Sequence, residues 1–310
     1  MSWFYEALLR TEEKQAGTEK GVGPSIADRD GDSFLKAMES LTAVAAPPRR
    51  TQAPLPSTAV ETPALKEVGA EEVRGDGFRR VSSVLREEAR LVFHSDPMGN
   101  AAEQFRLLRR RLSQDFPRGA VIMITSPAAG DGKTMTALNL AACLADSGDA
   151  TLFVEGDLRR PTASKILGCA VEPPGLEYAL LGVEEPHKVV HFVENLSLHA
   201  ALVTTVPKDP SHLLTGNGIK NFLAWAHRRF SWIVIDTAPV LPSADVSDLL
   251  PKVEAALLVV RAQITPTELS KRAIEMLGKH LHGVIWNDAT IHSAPYYRYM
   301  SDYHQLGKKN

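Results

Sequence analysis

Cysteine is nearly absent from the chain, and the little there is has no metal or disulfide pattern. Among 310 residues there are two, Cys143 and Cys169. With no CxxC spacing and no further partner, they exclude a zinc site or a disulfide framework legible in the sequence, and two reduced structural thiols are expected. Charge of one sign is missing as well. Lys and Arg total 35 against 37 Asp and Glu, so binding to nucleic acid through bulk charge is not expected. Long apolar runs are missing too: Ala255 to Val260 and Ala120 to Ile124 fall far short of the roughly 20 residues of a membrane helix. No transmembrane segment of its own is expected. Met1 to Arg10 has no basic stretch followed by an apolar run and a small-residue cleavage site, so it does not read as a secretion signal, and a cytoplasmic chain is expected.

What is present divides unevenly. Residues 1–90 read as a largely disordered arm. Pro47, Pro48, Pro54, Pro56 and Pro63 lie among Ala, Thr and Ser, a composition that favours solvated, extended backbone. Two short patterns at helical spacing interrupt it, Trp3, Phe4, Ala7 and Leu8, then Phe34, Leu35, Met38 and Leu41. Each is too short to stand alone and reads either as a transient helix or as a docking segment for a membrane surface or partner. Residues 91–290 read as one α/β domain, and 291–310 as a Tyr-rich flexible tail.

Within the α/β domain, strands are expected at Val121–Thr125, Thr151–Val154, Leu196–Ala200, Trp232–Asp236, Ala256–Arg261 and Gly283–Trp286. Helices are expected at Ala101–Leu112, Lys133–Ser147, Ser211–Arg229, Ala244–Leu250 and Thr267–His280. Continuous apolar strands such as Trp232-Ile233-Val234-Ile235 suit a parallel sheet covered on both faces. The expected fold is a doubly wound, mostly parallel sheet of the P-loop NTPase type, with its ligand at the carboxyl ends of the strands.

Three segments carry the chemistry. The run Ala129, Gly130, Asp131, Gly132, Lys133, Thr134 and Met135 joins an apolar strand to a helix, the context of a phosphate-binding loop. Its glycines let backbone N–H groups close around an anion, Lys133 neutralises phosphate charge, and Thr134 is placed to ligate Mg²⁺. Pro127 stands where the strict motif has its first glycine. The second segment is Glu155-Gly156-Asp157-Leu158-Arg159-Arg160-Pro161. Carboxylates at i and i+2 at a strand end point the same way, so Glu155 and Asp157 are expected to face one metal–phosphate site. In the third, the apolar strand Trp232 to Ile235 ends in Asp236, a carboxylate placed to hold Mg²⁺ or its water.

These motifs are similar to those of the bacterial tyrosine kinase family, over roughly His94 to Tyr303. The phosphate loop resembles PGEGK[ST]. The second segment resembles DxDLRRP, with Glu155 in place of its first Asp, and Val234-Ile235-Asp236-Thr237-Ala238-Pro239-Val240 resembles IIDTPPV, with Ala238 as the exception. Glu103, Arg106 and Arg109 match the ring-assembly motif ExxRxxR, and Asn287 falls where relatives have an asparagine near the adenine. Four of the six tyrosines, Tyr296, Tyr297, Tyr299 and Tyr303, cluster in the tail, as do the autophosphorylated tyrosines of the family, although aromatic rings packed back onto the domain would also explain a cluster.

The resemblance implies an ATP- and Mg²⁺-dependent protein-tyrosine autokinase of capsule and exopolysaccharide production. It implies assembly as a homo-oligomeric ring and work with a membrane polysaccharide co-polymerase at the inner face of the plasma membrane. Lys133, Glu155, Asp157 and Asp236 would be the catalytic set, with Glu155 orienting or deprotonating the phenol, Thr134, Asp157 and Asp236 at the metal, and Gly156 loosening the carboxylate beside it. A MinD- or ParA-like partner-switching ATPase fits most of the same residues, but the signature lysine of that class would fall on Ala128. A nucleotide-binding regulatory subunit without turnover is a third reading. Smaller signals read blandly: His187 and His191 as surface residues on a helix face, His280 and His282 as capping or solvated, Arg109 to Arg111 as an exposed helix face, and Lys308 and Lys309 as a solvated terminus.

Overall fold

The computed structural model describes residues 77–85 and 91–289. The amphipathic patterns of the arm, its Pro-rich stretch, the tail tyrosines and the terminal lysines lie outside the described residues.

In chain order the elements are β1 (Arg79–Val81), α1 (Val92–Ser95), α2 (Asn100–Asp115), β2 (Ala120–Thr125), α3 (Lys133–Asp146), β3 (Thr151–Glu155), α4 (Ala163–Leu167), α5 (Leu176–Leu180), β4 (Val190–Val193), β5 (Leu198–Ala201), α6 (Pro210–Thr215), α7 (Asn217–His227), β6 (Trp232–Asp236), α8 (Ala244–Leu249), β7 (Ala255–Arg261), α9 (Thr267–Leu277) and β8 (Leu281–Asn287). The strands form one sheet in the order β1-β4-β5-β3-β6-β2-β7-β8. Every pairing is parallel except β4 with β5.

Alternation along the central strands explains why both faces are covered. Val121, Met123, Ile233 and Ile235 point into a core shared with α5 to α9, whereas Ala120, Ile122, Ile124 and Val234 point into a second core under α2, α3 and α4. All residues of β2, β3 and β6 are buried, which is why these strands read as unbroken apolar runs. The six expected strands are present, and β1 and β4 are additional. Residues 77–85 therefore contribute a sheet strand, although composition assigns them to the arm. The helix expected over Ser211–Arg229 is two helices, because Gly216 adopts an extended conformation at φ −68° and ψ −179° and caps both.

The histidine reading is corrected. His187 lies in a short 3₁₀ turn and is exposed, but His191 is on β4, 1% exposed, and shares no helix face with it. Burial pushes the His191 imidazole down to about 4, so it is neutral in the folded protein. His282 lies on β8 and pairs with Asp115 at 3.0 Å. Cys143 and Cys169 are both free and buried, and burial pushes both thiols up to about 11. Among the described residues no helix is long and apolar enough to cross a membrane.

Candidate functional site

The site is assembled by strand register. β3, β6 and β2 are neighbours in the sheet, Asp236 is opposite Glu155 on one side and Ile124 on the other, and the phosphate loop leaves β2 directly after Thr125. Three segments far apart in sequence therefore meet at the carboxyl ends of adjacent strands, where an open α/β sheet places its ligand.

Gly130 and Gly132 adopt φ of +90° and +93°, the left-handed region that side chains other than glycine rarely occupy. A Cβ on Gly130 would meet nothing within 4 Å, so that turn borders open space, whereas one on Gly132 would lie 2.1 Å from the Asn287 amide nitrogen. The loop is braced from behind. Asp131, 2% exposed, accepts hydrogen bonds from the Ala128 N–H at 3.0 Å and the Thr265 hydroxyl at 2.7 Å. Thr265 in turn accepts from the Arg261 N–H. The Asn287 amide donates to the Asp131 carbonyl at 2.9 Å, which makes Asn287 part of the loop's frame. These braces join the end of β7, the turn before α9 and β8 to the loop; no local motif marks Thr265, and the sequence marks Asn287 only as an expected neighbour of the adenine.

Lys133 opens α3 and forms an ion pair with Asp157 at 3.0 Å. The Thr134 hydroxyl hydrogen-bonds Asp236. Asp236 is fully buried and its Oδ1 has no hydrogen-bond partner among the described residues. Burial pushes its carboxyl up to about 7, with Asp157 and Glu155 adding to the rise and Lys133 and Thr134 opposing it. An orphaned buried carboxylate oxygen beside a hydroxyl and a second carboxylate suits a hard cation. Among the described residues no cluster of three or more His, Cys, Asp or Glu could hold a metal on its own. The Thr134 hydroxyl with the Asp157 and Asp236 carboxylates is a donor set that fits Mg²⁺, which is usually held by one or two carboxylates together with phosphate oxygens.

Glu155 is placed differently from the expectation. Its carboxylate is buried, and it accepts the Thr162 and Ala163 N–H groups on Oε1, at 2.6 and 2.7 Å, and the Val203 N–H on Oε2, at 2.9 Å. It does not share a face toward the phosphate loop with Asp157. Gly156 does not loosen this corner either: its N–H donates to the Asp236 carbonyl at 2.7 Å, and a Cβ there would meet that oxygen at 2.7 Å and Ile235 Cγ2 at 2.9 Å. Gly156→Ala is expected to lower stability by about 1–3 kcal/mol through overpacking, measured as a lower urea midpoint at unchanged slope.

Arg159, from the same segment, reaches away from the loop. Its Nε donates to Asp245 at 2.8 Å, and one of its terminal nitrogens donates to Asp245 at 3.3 Å and to the Ser211 hydroxyl at 2.7 Å. Burial pushes the Asp245 carboxyl up, but the hydrogen bonds from Arg159, Ser211 and Ser243 outweigh it and hold the group below its ordinary value. Glu103, Arg106 and Arg109 lie on α2. Two of them are engaged within the chain: Arg106 pairs with Glu103 at 3.3 Å, donates to the Pro97 carbonyl and stacks over Phe93.

The chain matches no family model. It is 29% identical over 209 residues to the tyrosine-protein kinase Etk of Escherichia coli K12, a match covering 66% of this chain and 29% of Etk. It therefore spans under a third of that relative's length. It is 28% identical over 220 residues to the tyrosine-protein kinase YwqD of Bacillus subtilis strain 168, covering 69% of this chain and 92% of YwqD. The solved kinase domain of the Escherichia coli tyrosine kinase ETK shares the fold, with a TM-score of 0.61 at 24% identity over 71% of this chain and 95% of that domain. Over about two-thirds of its length, the chain is similar to these bacterial tyrosine kinases.

Proposed function

We propose that the chain is an ATP-dependent protein-tyrosine autokinase that regulates the synthesis and export of a capsular or exopolysaccharide. The observation that carries this reading is the register-built site, in which Lys133, Thr134, Asp157 and Asp236 converge at a glycine-lined loop on adjacent strand ends. The nucleotide would lie along residues 129–135, with Lys133 and the loop N–H groups on its phosphates. Thr134, Asp157 and Asp236 would hold Mg²⁺ directly or through water. Bound there, Mg²⁺ would supply positive charge to offset the negative charge that develops as the terminal phosphoryl leaves.

In the transfer, a new bond forms between the tyrosine oxygen and the γ-phosphorus as the bond to the bridging oxygen breaks. ADP departs and the phenol proton passes to solvent water. The transition state is loose, so the protein's task is alignment and charge stabilisation more than proton abstraction. Tyr296, Tyr297, Tyr299 and Tyr303 are the acceptors in this reading. A neighbour in a homo-oligomeric ring, assembled through Glu103, Arg106 and Arg109, would supply the tail. A membrane polysaccharide co-polymerase would hold the assembly at the inner face of the plasma membrane. A MinD-like switch draws no support from position 128, where an alanine N–H closes the loop onto Asp131 in place of a second lysine.

Purified full-length protein incubated with Mg²⁺ and ATP is expected to acquire phosphate on the tail, located by intact-mass and peptide analysis. A variant with Phe at Tyr296, Tyr297, Tyr299 and Tyr303 is expected to acquire none. ATP hydrolysis without phosphotyrosine, with the co-polymerase's cytoplasmic segments present, would replace this reading with a partner-switching ATPase.

A further inference from the structure

Two buried glutamates grip the same short stretch after β5. Glu155 takes the Val203 N–H, while Glu177, 3% exposed, takes the Thr204 N–H and hydroxyl and the Thr205 N–H. Only Glu155 also reaches the start of α4, through Thr162 and Ala163. Between its own strand and that anchor runs the segment that carries Asp157, whose Oδ2 meets Lys133 and whose Oδ1 accepts the Arg160 N–H. A carboxylate has about four lone-pair sites, and three of those on Glu155 are committed to backbone donors. It is also sealed from solvent, out of reach of an incoming phenol.

We infer that Glu155 is a positioning residue: it staples the end of β3 to the start of α4 and the end of β5, and so fixes Asp157 against Lys133. The extra methylene relative to aspartate is what spans this gap. β3 is held in place by ladders to β5 and β6 on its two sides, so a side chain about one bond shorter cannot follow its donors, whose distances already lie within the ordinary range. The substitution that restores the family's motif would therefore undo the staple. This inference rests on the proposed kinase reading for its activity readout, and on backbone protection for an independent one.

The experiment compares full-length wild type with Glu155→Asp, Glu155→Gln and Glu177→Gln, measuring single-turnover phosphotyrosine formation, affinity for a fluorescent ATP analogue, and amide exchange at Thr162, Ala163 and Val203. Glu155→Gln keeps the length and one acceptor oxygen for the two α4 donors, so it should lose transfer by about tenfold, the worth of one hydrogen bond. Glu155→Asp misplaces Asp157 by about 1 Å and should lose about 10²-fold. In both, nucleotide affinity should change far less than transfer. The three amides should exchange slowly in the wild type and fast in Glu155→Asp. Glu177→Gln, which loosens the shared stretch alone, should leave transfer near the wild-type rate.

The opposite order, with Glu155→Asp as active as wild type or more so and Glu155→Gln inactive, would make Glu155 the phenol's proton acceptor and overturn the inference. A loss in Glu177→Gln equal to that in Glu155→Asp would overturn it by showing general loosening. If no protein forms phosphotyrosine, the kinase reading fails, and unprotected wild-type amides at the three positions would separately refute the staple. Those wild-type amides also decide the matter if Glu155→Asp does not fold.

Discussion

Replacing Lys133 with alanine is expected to reduce phosphotyrosine formation by about 10³-fold, the upper range for loss of one preorganised charge-stabilising group, and at the same time to destabilise the nucleotide-free protein by about 3 kcal/mol. The second effect is the less obvious. Lys133 is the cation paired with Asp157, at 14% and 6% side-chain exposure, and it also lowers the pKa of Asp236. Removing it leaves Asp157, Asp236 and Glu155 as neighbouring buried carboxylates without that compensating charge. A buried pair broken on one side costs more than the pair contributes, because the remaining charge cannot be solvated. Urea denaturation in EDTA checks the stability, and the loss should persist at high salt because a buried pair is poorly screened. A Lys133→Ala protein as stable as wild type would show that water already solvates Asp157 in the folded state.

The local half of this site was legible in the sequence and the long-range half was not. Strands β2, β6 and β7 announce themselves because burial on both faces demands unbroken apolar runs. β1 has three residues, two of them arginines, and β4 is Val190-His191-Phe192-Val193, too short and mixed for a period to emerge. The phosphate loop is a contiguous motif, so its glycines, Lys133 and Thr134 could be named from spacing alone. Its braces lie 134 and 156 residues away, at Thr265 and Asn287; no local motif marks Thr265, and Asn287 is marked only by the resemblance, as a neighbour of the adenine. Glu155 shows the same limit. Alternation along a strand would turn residues 155 and 157 to one face, but β3 ends at Glu155, so the rule does not carry on to Asp157, and the backbone donors within reach decide where the Glu155 carboxylate goes. Those donors, at residues 162, 163 and 203, come into range only in the folded sheet.

Asp236→Asn should separate the energetics of the site from its chemistry, abolishing transfer while stabilising the nucleotide-free protein. In EDTA the wild-type Asp236 carboxyl is raised from 3.8 to about 7, chiefly by burial. Below about pH 4 the group is protonated in both folded and unfolded chains and contributes nothing. Between about 4 and 7 the folded state binds more protons than the unfolded one, so stability falls as pH rises, and above about 7 the penalty is complete. The gap between 3.8 and about 7 corresponds to about 4 kcal/mol, of which an asparagine still short of a good partner for its amide should recover about 2 to 4. Urea midpoints for the two proteins should therefore nearly coincide at pH 4 and separate by pH 8, with the variant more stable. Mg²⁺ with a non-hydrolysable ATP analogue should invert the order, because ligand that binds only the folded state stabilises in proportion to its affinity and the variant lacks the carboxylate proposed to hold the metal. Equal midpoints for the two proteins across the pH range would mean that Asp236 is solvated in the folded protein, and its orphaned oxygen would then give no reason to place a cation there. If the order holds, Lys133→Ala and Asp236→Asn should couple: with one acid neutralised, loss of the lysine should cost less in the double variant than in Lys133→Ala alone.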